Sequence, residues 1–229
     1  MHRFAVVLLL TILAAQAAPP EKYVIADGLK DPMEVAAAPD GQLYVAEREG
    51  RVLRINPETG GVFEIGKLDV QCRVASDPKS KYAPENGLLG LALDPAFAKN
   101  QRIYLYYSLK EPWANRLSRF TIKDGKVDLS SELKLLEIPT EREHYASHQG
   151  GAVEFGPDGL LYLSTGDNTN PFESSGHAPI DDRDGRTRWD AQRSAGNTND
   201  LRGKILRIRP SETGYEIPEG NLFKPGMAK

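Results

Sequence analysis

The 229-residue sequence holds one cysteine, Cys72, and that scarcity closes several routes at once. A lone thiol makes no internal disulfide, no cysteine-based structural zinc site and no haem-attachment motif. Stability is left to packing, with oxygen-ligated metal as the remaining kind of staple. A surplus of positive charge is also missing: 29 Lys and Arg stand against 32 Asp and Glu, a formal net charge of −3, with no basic tail or stripe. Such a balance gives no electrostatic grip on nucleic acid or on an anionic membrane. The sequence has no Gly-x-Gly-x-x-Gly after a strand pattern, no Gly-x-Ser-x-Gly and no His-Glu-x-x-His. Nuclease, protease and nicotinamide-dependent roles therefore find no support. No apolar run reaches the roughly 20 residues needed to span a bilayer.

What is present begins with a targeting pattern. Arg3 gives a positive start, residues 4–15 form an apolar run broken only by Thr11, and Ala15-Gln16-Ala17 is a small-x-small cleavage site. Residues 1–17 are expected to be a signal peptide cut after Ala17, with no membrane span left after cleavage. No cysteine lies near that point to carry a lipid. A periplasmic or secreted protein is expected. Beyond it, 40% hydrophobic residues and charges of both signs describe an ordinary globular chain.

One strand-and-turn pattern recurs. Pro39-Asp40-Gly41 precedes Leu43-Tyr44-Val45-Ala46, and Pro157-Asp158-Gly159 precedes Leu161-Tyr162-Leu163-Ser164. Proline fixes a negative φ and the following residues tolerate a tight reversal, so each Pro-Asp-Gly joins two strands. Gly50-Arg51-Val52-Leu53-Arg54-Ile55 is echoed by Gly203-Lys204-Ile205-Leu206-Arg207-Ile208, and Asp94-Pro95-Ala96-Phe97 is a degenerate copy between them. The prolines Pro39, Pro95 and Pro157 recur about every 60 residues, which is room for four short strands per unit. Short alternating strands also suit a β-sandwich. The matching order of features favours an all-β propeller, here an incomplete arc of about three to four blades. Helical signal is weak; residues 130–136 read equally as a short helix or as a strand. Three units do not close a ring, so an open arc would expose two apolar faces prone to association. Residues 18–229 are thus expected to be the N-terminal part of a truncated propeller domain.

The strongest local cluster is Ser147-His148-Gln149-Gly150-Gly151, followed one hairpin later by Thr165-Gly166-Asp167-Asn168. His148 stands just before one strand and Asp167 just after the next, so an antiparallel hairpin brings both to one end of a blade. A carboxylate beside an imidazole fixes its tautomer, as a general base near neutral pH requires. A loop histidine with a turn-capping aspartate fits the spacing equally well.

Three ordered motifs add to this. Asn86-Gly87-Leu88-Leu89-Gly90 with Asp94-Pro95-Ala96-Phe97, then His148-Gln149-Gly150-Gly151 with Phe155-Gly156-Pro157-Asp158-Gly159, then Leu201-Arg202-Gly203-Lys204-Ile205, resemble the glucose/sorbosone dehydrogenase family over residues 23–223. The resemblance implies a six-bladed propeller binding pyrroloquinoline quinone (PQQ) and calcium. It implies oxidation of an aldose or related sugar or polyol, with hydride passing to the quinone and electrons leaving to an external acceptor. His148 matches the family's catalytic base and Asp167 the carboxylate paired with it. Glu85 falls where the glucose enzymes place a substrate-contacting glutamine, and Ser147 where they place an aspartate, so glucose itself is not implied. Asn86, Gln149 and Asn168 are further candidates for contact with substrate or cofactor. The family's remaining cofactor and calcium ligands fall beyond the equivalent of Lys229, so this stretch alone is expected to be inactive.

Residues 168–200 form a long polar insertion. Its Asp181, Asp182 and Asp184 are weak metal candidates, because Arg183 interrupts them and the spacing is not that of an EF-hand loop; a salt-bridged surface loop is the simpler expectation. Trp189 is a candidate for stacking on a sugar, while His144 and His177 read as exposed loop histidines. The other functional class is a propeller that binds a carbohydrate or protein partner without catalysis.

Overall fold

A computed structural model of the chain describes residues 21–72, 85–142 and 147–222. The signal-peptide pattern, His144 and residues 223–229 lie outside the described residues.

The described residues fold into three four-stranded antiparallel sheets, taken up in sequence order. The first holds β1 (Pro32–Ala37), β2 (Leu43–Glu47), β3 (Arg51–Asn56) and β4 (Gly61–Lys67). The second holds β5 (Leu88–Leu93), β6 (Arg102–Ser108), β7 (Ala114–Lys123) and β8 (Lys126–Pro139), with a single short helix, α1 (Phe97–Asn100), between β5 and β6. The third holds β9 (Gly150–Phe155), β10 (Leu161–Thr165), β11 (Ile205–Pro210) and a two-residue β12 (Tyr215–Glu216). Residues 130–136 lie within β8 and are strand. These are propeller blades, each an up-and-down meander whose first strand sits beside the first strand of the next, β5 packing against both β1 and β9.

The Pro-Asp-Gly segments make the turns expected of them, and make them alike. The Gly41 amide donates to the Ala38 carbonyl and the Gly159 amide to the Gly156 carbonyl, each at 2.9 Å. The Asp40 and Asp158 side chains each accept the amide two residues on, both at 3.1 Å. A carboxylate that binds its own chain two residues later locks the reversal and sets the register of the strands it joins.

The middle sheet explains the stacking. A sheet covered on both faces needs apolar residues at successive positions, whereas one open face permits alternation. Five of the six residues of β5 and six of the seven of β6 are buried, while β9 alternates exposed and buried. Tyr44, Val52, Leu91, Ile103 and Leu105 fill the space between the first two sheets. Leu89, Tyr104, Leu117, Val153, Leu161 and Leu163 fill that between the second and third. The blades meet most closely at Gly90, where an added Cβ would lie 1.9 Å from the Gly151 carbonyl oxygen; only glycine lets β5 and β9 approach so far.

The two outward faces differ from this interior. On the first sheet, Val45, Leu53 and Ile55 are covered by Ala26 and Leu29, leaving a groove of about 440 Å³ that Met33 and Val35 line. On the third, Ile205 is 77% exposed.

Candidate active site

Antiparallel pairing of β9 with β10 carries the residue before β9 and the residues after β10 to one end of the third blade. There the His148 Nδ1 and Asp167 Oδ1 atoms lie 2.9 Å apart. The loop backbone is built to allow it. His148 adopts φ 50° and Asn168 φ 56°. The Gly166 amide donates to the Gln149 carbonyl at 3.1 Å and the Asn168 amide to the His148 carbonyl at 3.2 Å. The hairpin is thus extended by two backbone bonds around the pair.

Two carboxylates address His148 from different blades. Asp167 holds the ring nitrogen, and Glu85, just before β5, accepts the His148 backbone amide through Oε2 at 2.5 Å. Asp167 is itself fixed, accepting the Thr169 amide at 2.9 Å. The imidazole side chain is 37% exposed and the Asp167 side chain 20%, so the ring can be reached while its anchor is mostly covered. The hydrogen bond from Nδ1 to Asp167 raises the His148 pKa above the ordinary imidazole value; partial burial opposes this, and the charges of Asp167 and Glu85 add to it. For Asp167, burial pushes the carboxyl up, but the bonds from His148 and Thr169 outweigh it and the net shift is downward. Ionised Asp167 favours the tautomer with hydrogen on Nδ1. Nε2, on the far side of the ring, is then the basic nitrogen.

The other candidates separate by burial. Glu85 is exposed, with its second carboxylate oxygen not used on the His148 amide. Asn86, Gln149 and Asn168 are 0%, 3% and 6% exposed. Gln149 donates to the Ser147 carbonyl at 2.8 Å and accepts from Asn115 Nδ2 at 2.9 Å. Asn115 Oδ1 in turn accepts the Ser108 hydroxyl at 2.7 Å and the Arg142 guanidinium at 3.3 Å. Asn168 accepts the Glu141 amide at 2.5 Å and donates to the Glu141 and Ser147 carbonyls. A solute arriving from solvent meets His148 and Glu85 first; Gln149 and Asn168 brace the loop from beneath.

The insertion supplies no metal cluster among the described residues. Asp181 is buried, and both its oxygens are taken by guanidinium groups, Arg183 at 2.6 and 2.7 Å and Arg186 at 3.2 Å. These hold its carboxyl well below the usual range. Asp182 and Asp184 face solvent. His177 is exposed. The stacking expectation for Trp189 is corrected: the side chain is 8% exposed, Nε1 donates to the Phe172 carbonyl, and the Arg186 guanidinium lies 3.5 Å from the ring centroid. A buried ring with a cation already stacked on it offers no platform to a sugar.

Sequence reasoning missed Arg193 of the insertion, and gave Arg202, which it quoted only within the third motif, no part in the site. Arg193 bonds Glu141 at 2.5 Å and the Asn168 carbonyl at 3.2 Å, and Arg202 pairs with Asp200 at 2.6 Å while its charge acts on Asp167. No periodicity or motif marks Arg193 as a neighbour of Asn168.

The Glucose / Sorbosone dehydrogenase family model matches residues 29–228. Human Hedgehog-interacting protein is 30% identical over 214 residues, covering 86% of this chain and 27% of its own length. Quinoprotein glucose dehydrogenase B of Acinetobacter calcoaceticus is 30% identical over 157 residues, covering 64% of this chain and 30% of its own. Among solved structures, the PQQ-bound aldose sugar dehydrogenase of Streptomyces coelicolor superposes with a TM-score of 0.64 at 27% identity, over 92% of this chain and 55% of that one. The chain therefore spans less than two thirds of the length of each of these relatives.

Proposed function

The chain belongs to the glucose/sorbosone dehydrogenase family, and from that premise we propose that the whole protein oxidises an aldose or related sugar or polyol, with His148 as the general base. The observation that carries this reading is the 2.9 Å contact between His148 Nδ1 and Asp167 Oδ1 on a ring that remains partly exposed.

In this reading Nε2 takes the proton of the sugar hydroxyl, and Asp167 stabilises the imidazolium that results. Glu85 orients the sugar by accepting a second hydroxyl on its remaining oxygen while its other oxygen holds the His148 backbone. PQQ, when bound, supplies the electron acceptor, and an external acceptor reoxidises it. The described residues fit the base side of such a site. They contain no cluster of three or more His, Cys, Asp or Glu for a divalent cation, so calcium is assigned no residue here. We further propose that residues 18–229 are the N-terminal portion of the propeller domain and that the protein acts in the periplasm or outside the cell, the latter resting on the pattern in residues 1–17.

The test is turnover of a panel of aldoses and polyols by the whole protein supplied with PQQ, calcium and an artificial electron acceptor. Activity that disappears in His148→Ala supports the reading; no turnover with any sugar defeats it. The 229-residue stretch alone is expected to show none.

A second reading, a non-enzymatic propeller that binds a protein or carbohydrate partner, is favoured by the identity with Hedgehog-interacting protein. It predicts partner binding that His148→Ala leaves intact.

A further inference from the structure

The insertion between β10 and β11 leaves the His148 hairpin at Asn168 and returns to it through Arg193. Two features make that return more than a surface salt bridge. The Arg193 side chain is 17% exposed, and its two terminal nitrogens serve different partners: Nη1 the Glu141 carboxylate, Nη2 the Asn168 backbone carbonyl. Asn168 is buried and takes the left-handed conformation at φ 56°. Its side chain ties the Glu141 and Ser147 backbones, and its own amide donates to His148. Asn168 is the residue next to Asp167, and Ser147 the residue next to His148. Whatever fixes Asn168 therefore fixes the offset between the two sides of the imidazole–carboxylate pair.

We propose that Arg193 is a positioning residue for the His148–Asp167 pair, clamping Asn168 and Glu141 so that Asp167 meets Nδ1 of His148. This rests on the reading of His148 as the base only for its consequence in catalysis; the clamp is a statement about geometry. A guanidinium suits the task because its planar fork reaches two acceptors at once, which an ammonium on a flexible stem does not do with fixed geometry. The charged groups around the pair are Glu85 on the β5 side, Glu141 just after β8, and Arg193 and Arg202 from the segment between β10 and β11. Arg202 approaches the same Glu141 oxygen at 3.9 Å, so Glu141 is the shared counter-ion of both arginines.

The test is ring-nitrogen NMR of the full chain labelled at histidine, comparing the parent with Arg193→Ala, Arg193→Lys, Glu141→Gln and Asp167→Asn. In the parent, neutral His148 is expected to carry its hydrogen on Nδ1. Arg193→Ala is expected to give a mixed tautomer and a titration midpoint moved down toward the ordinary imidazole value. Arg193→Lys keeps part of the parent signature, and Glu141→Gln moves it in the same direction as Arg193→Ala but less. A folded Arg193→Ala whose His148 tautomer and midpoint match the parent overturns the proposal. Should that variant fail to fold, an unchanged His148 in Glu141→Gln overturns it instead. Asp167→Asn separates the two ideas: if it alone leaves His148 unchanged, the pair and the base reading fail, whereas a response to Asp167→Asn with none to Arg193→Ala removes only the clamp. In the PQQ-supplied protein, Arg193→Ala is expected to lower kcat more than it raises KM.

Discussion

Gly166 sits so close to His148 that an added Cβ would lie 1.6 Å from the His148 carbonyl oxygen. The residue just before Asp167 is thus pressed onto the backbone of the histidine that Asp167 serves, and no side chain fits between them. Gly166→Ala forces the two strands of the loop apart. Overpacking of this kind costs about 1–3 kcal/mol, and the expected result is a lower denaturation midpoint together with loss of the raised His148 titration. Gly214, with nothing within 4 Å of where an added Cβ would stand and no left-handed φ, is the control; Gly214→Ala is expected to leave both quantities unchanged or to stabilise slightly.

The pH dependence follows from the two shifts at the pair. His148 must be neutral to accept a proton, and its pKa is raised first by the Asp167 hydrogen bond. Turnover is therefore expected to climb through a midpoint above the ordinary imidazole value. Asp167→Asn moves that rising limb to lower pH and lowers the plateau, because the Nδ1 tautomer is no longer enforced; general bases contribute about 10²–10⁴-fold, and His148→Ala is expected to lose that range. Stability behaves with its own signs. The raised His148 contributes fully below its unfolded pKa and loses that contribution as pH rises through its folded value. The lowered Asp167 contributes above its unfolded pKa and loses that as pH falls through its folded value. Asp167→Asn should therefore destabilise most between the ordinary carboxylate and imidazole values, and the gap from the parent should narrow toward either extreme. Denaturant titrations across that range check it; a gap independent of pH counts against the pair.

The propeller blades, and the placing of His148 and Asp167 at one end of a blade, were legible in the sequence because both depend on local chemistry. Pro39-Asp40-Gly41 and Pro157-Asp158-Gly159 announce their reversals, and one antiparallel hairpin brings Asp167 and His148 to the same end of a blade; the spacing left open whether Asp167 pairs with the ring or only caps its turn, and its carboxylate does both. Burial of Gln149 and Asn168 was not legible, since it depends on Asn115 from the neighbouring blade and Glu141 just after β8. Arg193 was hidden for the same reason: a polar insertion without periodicity gives no signal of where it lands. Trp189 looked available for stacking because nothing local shows that Arg186 folds over its ring.

Beneath the His148 loop, Asn115 joins two blades. Its amide donates to Gln149, and its oxygen accepts from Ser108 and Arg142. Arg142 is buried and held by the Leu109 and Ala114 carbonyls, and burial pulls its pKa down to about 10. Asn115→Ala removes three partners at once in a place that water does not readily replace. An unsatisfied buried group costs about 1–3 kcal/mol, more when charged, so the expected loss exceeds that of a typical surface change and approaches the ~2–5 kcal/mol of a core Leu→Ala such as Leu163→Ala. Equilibrium unfolding of the two variants decides between a network that matters and one that does not; a loss within about 0.5 kcal/mol for Asn115→Ala, the range of ordinary surface substitutions, would show that the network is dispensable.

The outward faces carry a last consequence. A blade is stabilised by neighbours on both sides, yet the first sheet leaves Met33 and Val35 41% and 57% exposed at a groove of about 440 Å³, and the third leaves Ile205 77% exposed. Apolar side chains left exposed in this way lower their free energy by meeting another apolar surface. The 229-residue chain by itself is therefore expected to self-associate, with a light-scattering mass that rises with concentration. Val35→Lys combined with Ile205→Lys is expected to suppress that rise without moving the unfolding midpoint of dilute protein, because both side chains already face water and substitutions at such positions lie within about 0.5 kcal/mol of neutral. A parent that stays monomeric over the whole concentration range would mean that the segment carrying Ala26 and Leu29 already closes the first face well enough to make it inert.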